Sequence, residues 1–152
     1  MPEKQTIARA REDKRKGKAA TTQAGEFVRE EIHHIREGKH GAKSAKQAIA
    51  IGLSKARRAG VKLPPPEAGT TSEETRRSAK SALKQSRAGK KPSPARSRAM
   101  LRKLRHEGHA AASKPALARQ ARSAARRRGH AALRAAARKA ARTRSRQASA
   151  GV

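Results

Sequence analysis

Only 18 of the chain's 152 residues carry an apolar side chain larger than alanine's, and nine of those lie between Phe27 and Leu63. Burying a large apolar side chain stabilises a fold by about 1.5–3 kcal/mol. Ordering a backbone residue costs about 1–2 kcal/mol. A core can therefore be assembled over roughly residues 22–63, and a chain with so few large side chains elsewhere is expected to stay largely unfolded there. The nominal hydrophobic content of 34% does not alter this, because 34 of the residues counted are alanine.

Within that segment the helix signals agree with one another. Thr22 can cap a helix running to about Glu37, stopped by Gly38 and Gly41. On a helical wheel Val28, Ile32 and Ile35 share one face with Phe27 beside it, and Glu26, Glu30 and Glu37 fall opposite. A second helix is expected from Ser44, with Gln47 at the capping-box spacing. Ala45, Ala48, Ile49, Gly52, Leu53 and Ala56 make a continuous stripe whose small members allow close approach to the first helix. Gly60 supplies a left-handed C-terminal position, Val61 the apolar contact that follows it, and Pro64 the stop.

The expected fold is all-α: a small helical hairpin module with a long disordered or conditionally helical basic tail. Residues 1–21 read as a charged N-terminal arm, 22–63 as the hairpin, 64–71 as a stiff Pro-rich linker and 72–152 as the tail. In the tail, Thr71 with Glu74, Ser93-Pro94 and Lys114-Pro115 look like helix starts, separated by Gly89, Gly108 and Gly129. A short repeat relates Ala121–Arg126 to Ala137–Arg142. Alanine and arginine favour helix, but like-charge repulsion opposes it; coil is expected until phosphates neutralise the charge.

Charge narrows the partner class. Residues 76–152 hold 24 of the 40 Lys and Arg and a single acid, Glu107, for a net charge of +23 out of +29. Such a polycation is suited to nucleic acid, binding by phosphate contact and counterion release without regard to base sequence. The expected contacts are Lys39, Lys43, Lys46, Arg57 and Arg58 on the module, and Arg122, Arg126, Arg127, Arg128, Arg138, Lys139 and Arg142 on the tail. The loop Gly38-Lys39-His40-Gly41-Ala42-Lys43 offers backbone N–H groups at a helix start that could hold a phosphate. It loosely resembles the hairpin of helix–hairpin–helix DNA-binding modules, though its glycines are three apart instead of two. The acids of the first helix either face away from nucleic acid or pair with the protein's own tail.

Other classes find little support. No nucleophile–base pair or nucleotide loop can be drawn, so an enzyme is not expected. With no Trp or Tyr and one Phe, base-stacking single-strand modules are disfavoured. Cysteine is absent, and the histidine groups His33-His34-His40 and His106-x-x-His109 have little carboxylate beside them beyond Glu37 and Glu107. No metal site and no cofactor are expected. No apolar run could span a membrane; a cytoplasmic, nucleoid location is the simplest expectation. Ser93-Pro94 offers a modification site whose phosphate would subtract local charge.

The string TTQAGEFVREEIHHIREGKHGAKSAKQAIAIGLSKARRAGVKLPPP at residues 22–66 resembles a family of small, basic bacterial proteins of unknown function. That resemblance covers about the first 66 residues and implies a bacterial origin, with no activity attached. The remainder is similar in composition to the Ala/Lys/Arg-rich tails of bacterial histone-H1-like proteins. Together these lead to an expected role as a non-sequence-specific, histone-H1-like, nucleoid-associated DNA-binding protein that condenses duplex backbone. An RNA- or ribosome-associated protein is the second expectation. A protein-interaction adaptor, binding a partner or a second copy through the hairpin face, is the third.

Overall fold

The computed structural model describes residues 1–150, and every regular element among them is helical. In chain order these are α1 (Lys4–Arg15), α2 (Ala20–Arg36), α3 (Ala45–Arg58), α4 (Glu73–Arg87), α5 (Pro94–Arg105), a single 3-10 turn at Ala110–Ala112, and α6 (Lys114–Ala150). Two compact units result. One is Met1–Ala116, and the other begins at Leu117.

The hairpin is present with the expected polarity. α2 starts slightly earlier than Thr22, at Ala20, and its N-cap Ala19 makes no side-chain cap. Its C-terminus is closed by Gly38 at φ 75°, whose N–H donates to Ile35, while the N–H of Lys39 donates to His34. Gly60 closes α3 in the same way: its N–H donates to Arg57, and that of Val61 donates to Ala56. Val61 is then buried, as the apolar residue after such a cap should be. Ser44 caps α3 by accepting from the N–H of Gln47 at 3.2 Å. The Gln47 amide oxygen accepts from Lys43, one residue earlier than a strict capping box places it.

Helices α2 and α3 meet through the small-residue stripe. Ala45, Ala48, Gly52 and Ala56 are buried on it. A Cβ at Gly52 would lie 2.7 Å from the Cα of Val28, so only glycine permits this approach. The main core joins Ala10 of α1, Ala24 and Phe27 of α2, Ala56 of α3, and Val61 and Leu63 beyond it, with Ile7, Ala20 and Leu53 packed alongside. Phe27 is fully enclosed, which by itself is worth about 1.5–3 kcal/mol.

Two expectations are corrected here. Within the expected N-terminal arm, Lys4–Arg15 form a docked helix whose Thr6, Ala10 and Asp13 are buried, and α2 is therefore covered on two sides. Of the wheel's acids, Glu30 is 5% exposed, with Glu31 beside it fully buried, while Glu37 stays exposed.

The sequence after the prolines is helical, not disordered. Part of it rests on the hairpin: α4 packs on α3 and buries Ala79 and Ala82. Its cap is Ser72, accepting from Thr75, rather than Thr71. Leu104, Ala111 and Ala112 are buried as well, and the turn at Ala110–Ala112 packs against α2 and α3. Alanine's small side chain lets these backbones come close enough to compensate for the scarcity of large residues. α6 has no buried residue, and its helix rests on alanine and arginine propensity. Gly129, at φ 75° and ψ 165°, breaks it into two helical stretches.

Candidate functional site

The basic positions expected to contact phosphate fall into three structural situations. Lys43, Lys46 and Arg58 are exposed and make no ion pair among the described residues. Lys39 is half exposed but sits 3.0 Å from Glu37 and 3.5 Å from Glu3; its bond to Glu37 raises its pKa above the ordinary lysine value. Arg57 is 5% exposed and faces inward. Its guanidinium donates to the carbonyls of Leu63 (3.2 Å) and Pro64 (3.0 Å), and burial lowers its pKa from the usual arginine value. Arg57 is thus a strap between α3 and the proline segment, with two of its donors already used.

The loop between α2 and α3 is likewise committed internally. The N–H of Gly41 donates to the carbonyl of Leu104 at 2.9 Å, and that of Ala42 to Gly108 at 3.0 Å. A Cβ on Gly41 would collide with the Glu107 carbonyl, which explains the glycine there. The backbone groups suggested as a phosphate cradle instead hold residues 104–108 against the hairpin.

On α6, by contrast, Arg122, Arg126, Arg127, Arg128, Arg138, Lys139 and Arg142 are all exposed. Arg119, Arg122, Ser123, Arg126 and Arg127 line a shallow groove. Beyond the break, Arg134, Arg138, Arg142 and Arg146 recur every four residues. That spacing puts successive guanidinium groups along one side of the helix, about 6 Å apart along its axis. No acid lies anywhere on α6, so this stripe has no internal counter-charge.

Among the described residues the acids of α2 and its C-cap find their partners within residues 1–58, not on the tail. Glu26 accepts from Arg9 of α1 at 2.6 Å, and Glu37 lies 2.8 Å from His33. Glu31 and Glu30 turn toward α3, where Lys55 Nζ is 2.5 Å from Glu31 Oε2 and 3.9 Å from Glu30 Oε1. Glu30 Oε2 also accepts from the backbone N–H of Glu3 at 3.1 Å. One ammonium therefore serves two buried carboxylates, and Glu30 Oε1 and Glu31 Oε1 have no hydrogen-bond donor.

Two histidines complete this cluster. His40 Nε2 is 3.2 Å from Glu31 Oε1, and His40 Nδ1 is 3.0 Å from the carbonyl of Gly41. His34 Nε2 meets Glu3 Oε1 at 2.8 Å, a bond that holds the Glu3 carboxyl below the ordinary carboxylate range. Donor atoms of Glu31, His34 and His40 all lie within 4.8 Å of one another. Glu31 lies three residues before His34 and so on the same helix face, and His40 is delivered by the turn at Gly38. His106 and His109 do not join the group.

The fold and these surfaces define a class: an all-helical, strongly basic protein with a compact N-terminal unit and an arginine-striped helical extension. More specifically, residues 13–67 are similar to a family described as Family of unknown function (DUF6496), a match that begins near the end of α1 and takes in α2, α3 and the three prolines. No curated protein and no solved structure matches the chain.

Proposed function

We propose that this protein binds nucleic acid without sequence specificity, with duplex DNA as its main partner, as a histone-H1-like, nucleoid-associated protein. The observation that carries the reading is α6: a helix with no buried residue and no acid, studded with arginines along its length. A helix gains nothing from such charge in isolation, because like charges at i, i+4 oppose it. Phosphates remove that repulsion and release condensed counterions, which is the main driving force of backbone binding.

Lys43, Lys46 and Arg58 supply exposed charge on the compact unit, where they can add backbone contacts. Base readout is not part of the proposal. It requires side chains such as Asn or bidentate Arg held rigidly at base edges, and the arginines of α6 are all exposed.

The test is binding of the full chain to a mixed-sequence DNA duplex and to a structured RNA of equal length, over a range of salt. About ten phosphate contacts give a slope of log K against log salt of roughly −9 on duplex DNA. A steep slope with tighter binding to the duplex supports the reading. Tighter binding to RNA moves the protein to the ribosome- or RNA-associated class, and a flat, weak profile on both rejects nucleic acid as the partner.

A further inference from the structure

We propose that Glu31, His34 and His40 form a binding site for one divalent transition-metal ion of the zinc type. The argument begins at His40. A backbone carbonyl can only accept a hydrogen bond, so the 3.0 Å contact with Gly41 places the proton on Nδ1. On a ring protonated at Nδ1 alone, Nε2 is bare and lies 3.2 Å from Glu31 Oε1, an oxygen with no donor of its own. Two lone pairs face each other across a gap with both side chains buried, at 7% and 1% exposure. A cation between them satisfies both atoms.

The spacing suits zinc. Bonds of about 2.0–2.1 Å at the tetrahedral angle put neighbouring ligand atoms roughly 3.3–3.4 Å apart, close to the 3.2 Å observed between His40 Nε2 and Glu31 Oε1. A His34 ring nitrogen lies within 4.8 Å of the donor atoms of Glu31 and His40, and the His34 side chain is 12% exposed. Water would occupy the fourth position, as it does in sites with three protein ligands.

Each ligand also has the outer partner that metal sites use to orient and polarise their first shell. Gly41 accepts from His40 Nδ1, and Glu3 accepts from His34 Nε2, which leaves Nδ1 as the free nitrogen of His34. Lys55 holds Glu31 Oε2, so that Oε1 is the oxygen turned to the metal. Charge points the same way: Glu3, Glu30 and Glu31 outnumber Lys39 and Lys55 around the cluster. Imidazole and carboxylate ligands favour zinc, cobalt or nickel over magnesium or calcium.

Bound there, the ion would tie the last turns of α2 to the loop that follows it. Gly41 and Ala42 of that loop hold the carbonyls of Leu104 and Gly108. Metal would therefore stabilise the docking of residues 104–108 on the hairpin. The site lies away from α6 in sequence and does not depend on nucleic-acid binding.

The experiment is titration of chelator-stripped full-length protein with Zn²⁺ by calorimetry, and with Co²⁺ by visible absorption, alongside thermal melting. Expected are one ion per chain, the intense d–d bands of a four-coordinate cobalt site, and a higher melting temperature with metal. His34→Gln and His40→Gln should each weaken binding at least tenfold, while the exposed neighbour variant His33→Gln should leave it unchanged. His34→Gln removes a side chain at the edge of the cluster, and its circular dichroism spectrum checks that the fold persists. Absence of saturable binding, or binding equally strong in His34→Gln and His40→Gln, overturns the proposal. In that event a proton on His40 Nε2 bridges to Glu31.

Discussion

At the scale of single residues, the structure separates basic side chains that support the fold from those that are free to bind. Arg57 and Arg58 are adjacent in sequence, yet one is a buried strap and the other is exposed. Arg57→Ala removes two charge-assisted hydrogen bonds to carbonyls and should destabilise the compact unit by about 2–3 kcal/mol, read by denaturant unfolding. The salt slope for DNA should not change in that variant. Lys46→Gln should do the reverse, leaving stability within about 0.5 kcal/mol and reducing the slope by about 0.9 if it contacts one phosphate. Glu3 carries a pH signature. Its folded pKa is lowered by the hydrogen bond from His34, so its contribution is present above the ordinary carboxylate value and is lost as pH falls through the lowered folded value. Glu3→Gln should therefore lower stability at neutral and alkaline pH and flatten the acid limb, so that the two proteins converge at low pH when unfolding is measured across pH.

At the scale of elements, close approach of helices replaces large side chains as the means of packing. Gly52 meets the backbone of Val28, which cannot rotate away as a side-chain end would. Gly52→Ala should part α2 from α3 and cost about 1–3 kcal/mol, measured by chemical denaturation. This contact was legible in the stripe of Ala45, Ala48, Gly52 and Ala56, as were both glycine caps. The docking of α1 was not legible, because its contribution comes from Thr6, Ala10 and a single Ile7, with no apolar period to read. α4 was hidden for the same reason, since buried alanines look like exposed ones in sequence. Gly129 holds a backbone conformation open in practice to glycine alone. Gly129→Ala should straighten α6 and raise helical content by circular dichroism.

At the scale of the whole molecule, the compact unit extends well past Pro64-Pro65-Pro66. A fragment ending at residue 66 loses α4 and the cover supplied by Leu104, Ala111 and Ala112. It should melt at a lower temperature and with a broader transition than a fragment of residues 1–116. Removing residues 117–152 should leave the 1–116 transition intact while sharply reducing the salt dependence of DNA binding. The helicity of a 117–152 peptide should increase when phosphate or DNA is added, because anions screen the arginine ladder.

Composition and short-range pattern determined the all-helical class, the hairpin with its caps, and the place where basic charge accumulates. These depend on neighbours within a turn or two, which sequence displays directly. Tertiary structure alone decided that α4, Leu104 and the turn at Ala110–Ala112 pack instead of remaining free, that Arg57 points inward, and that α2 is covered on both sides. It also decided that Glu31, His34 and His40 converge, because their meeting depends on a chain reversal at Gly38 and on α3 presenting Lys55 across the hairpin. A single helical wheel does not contain the second helix, so it could not show which charges would be buried.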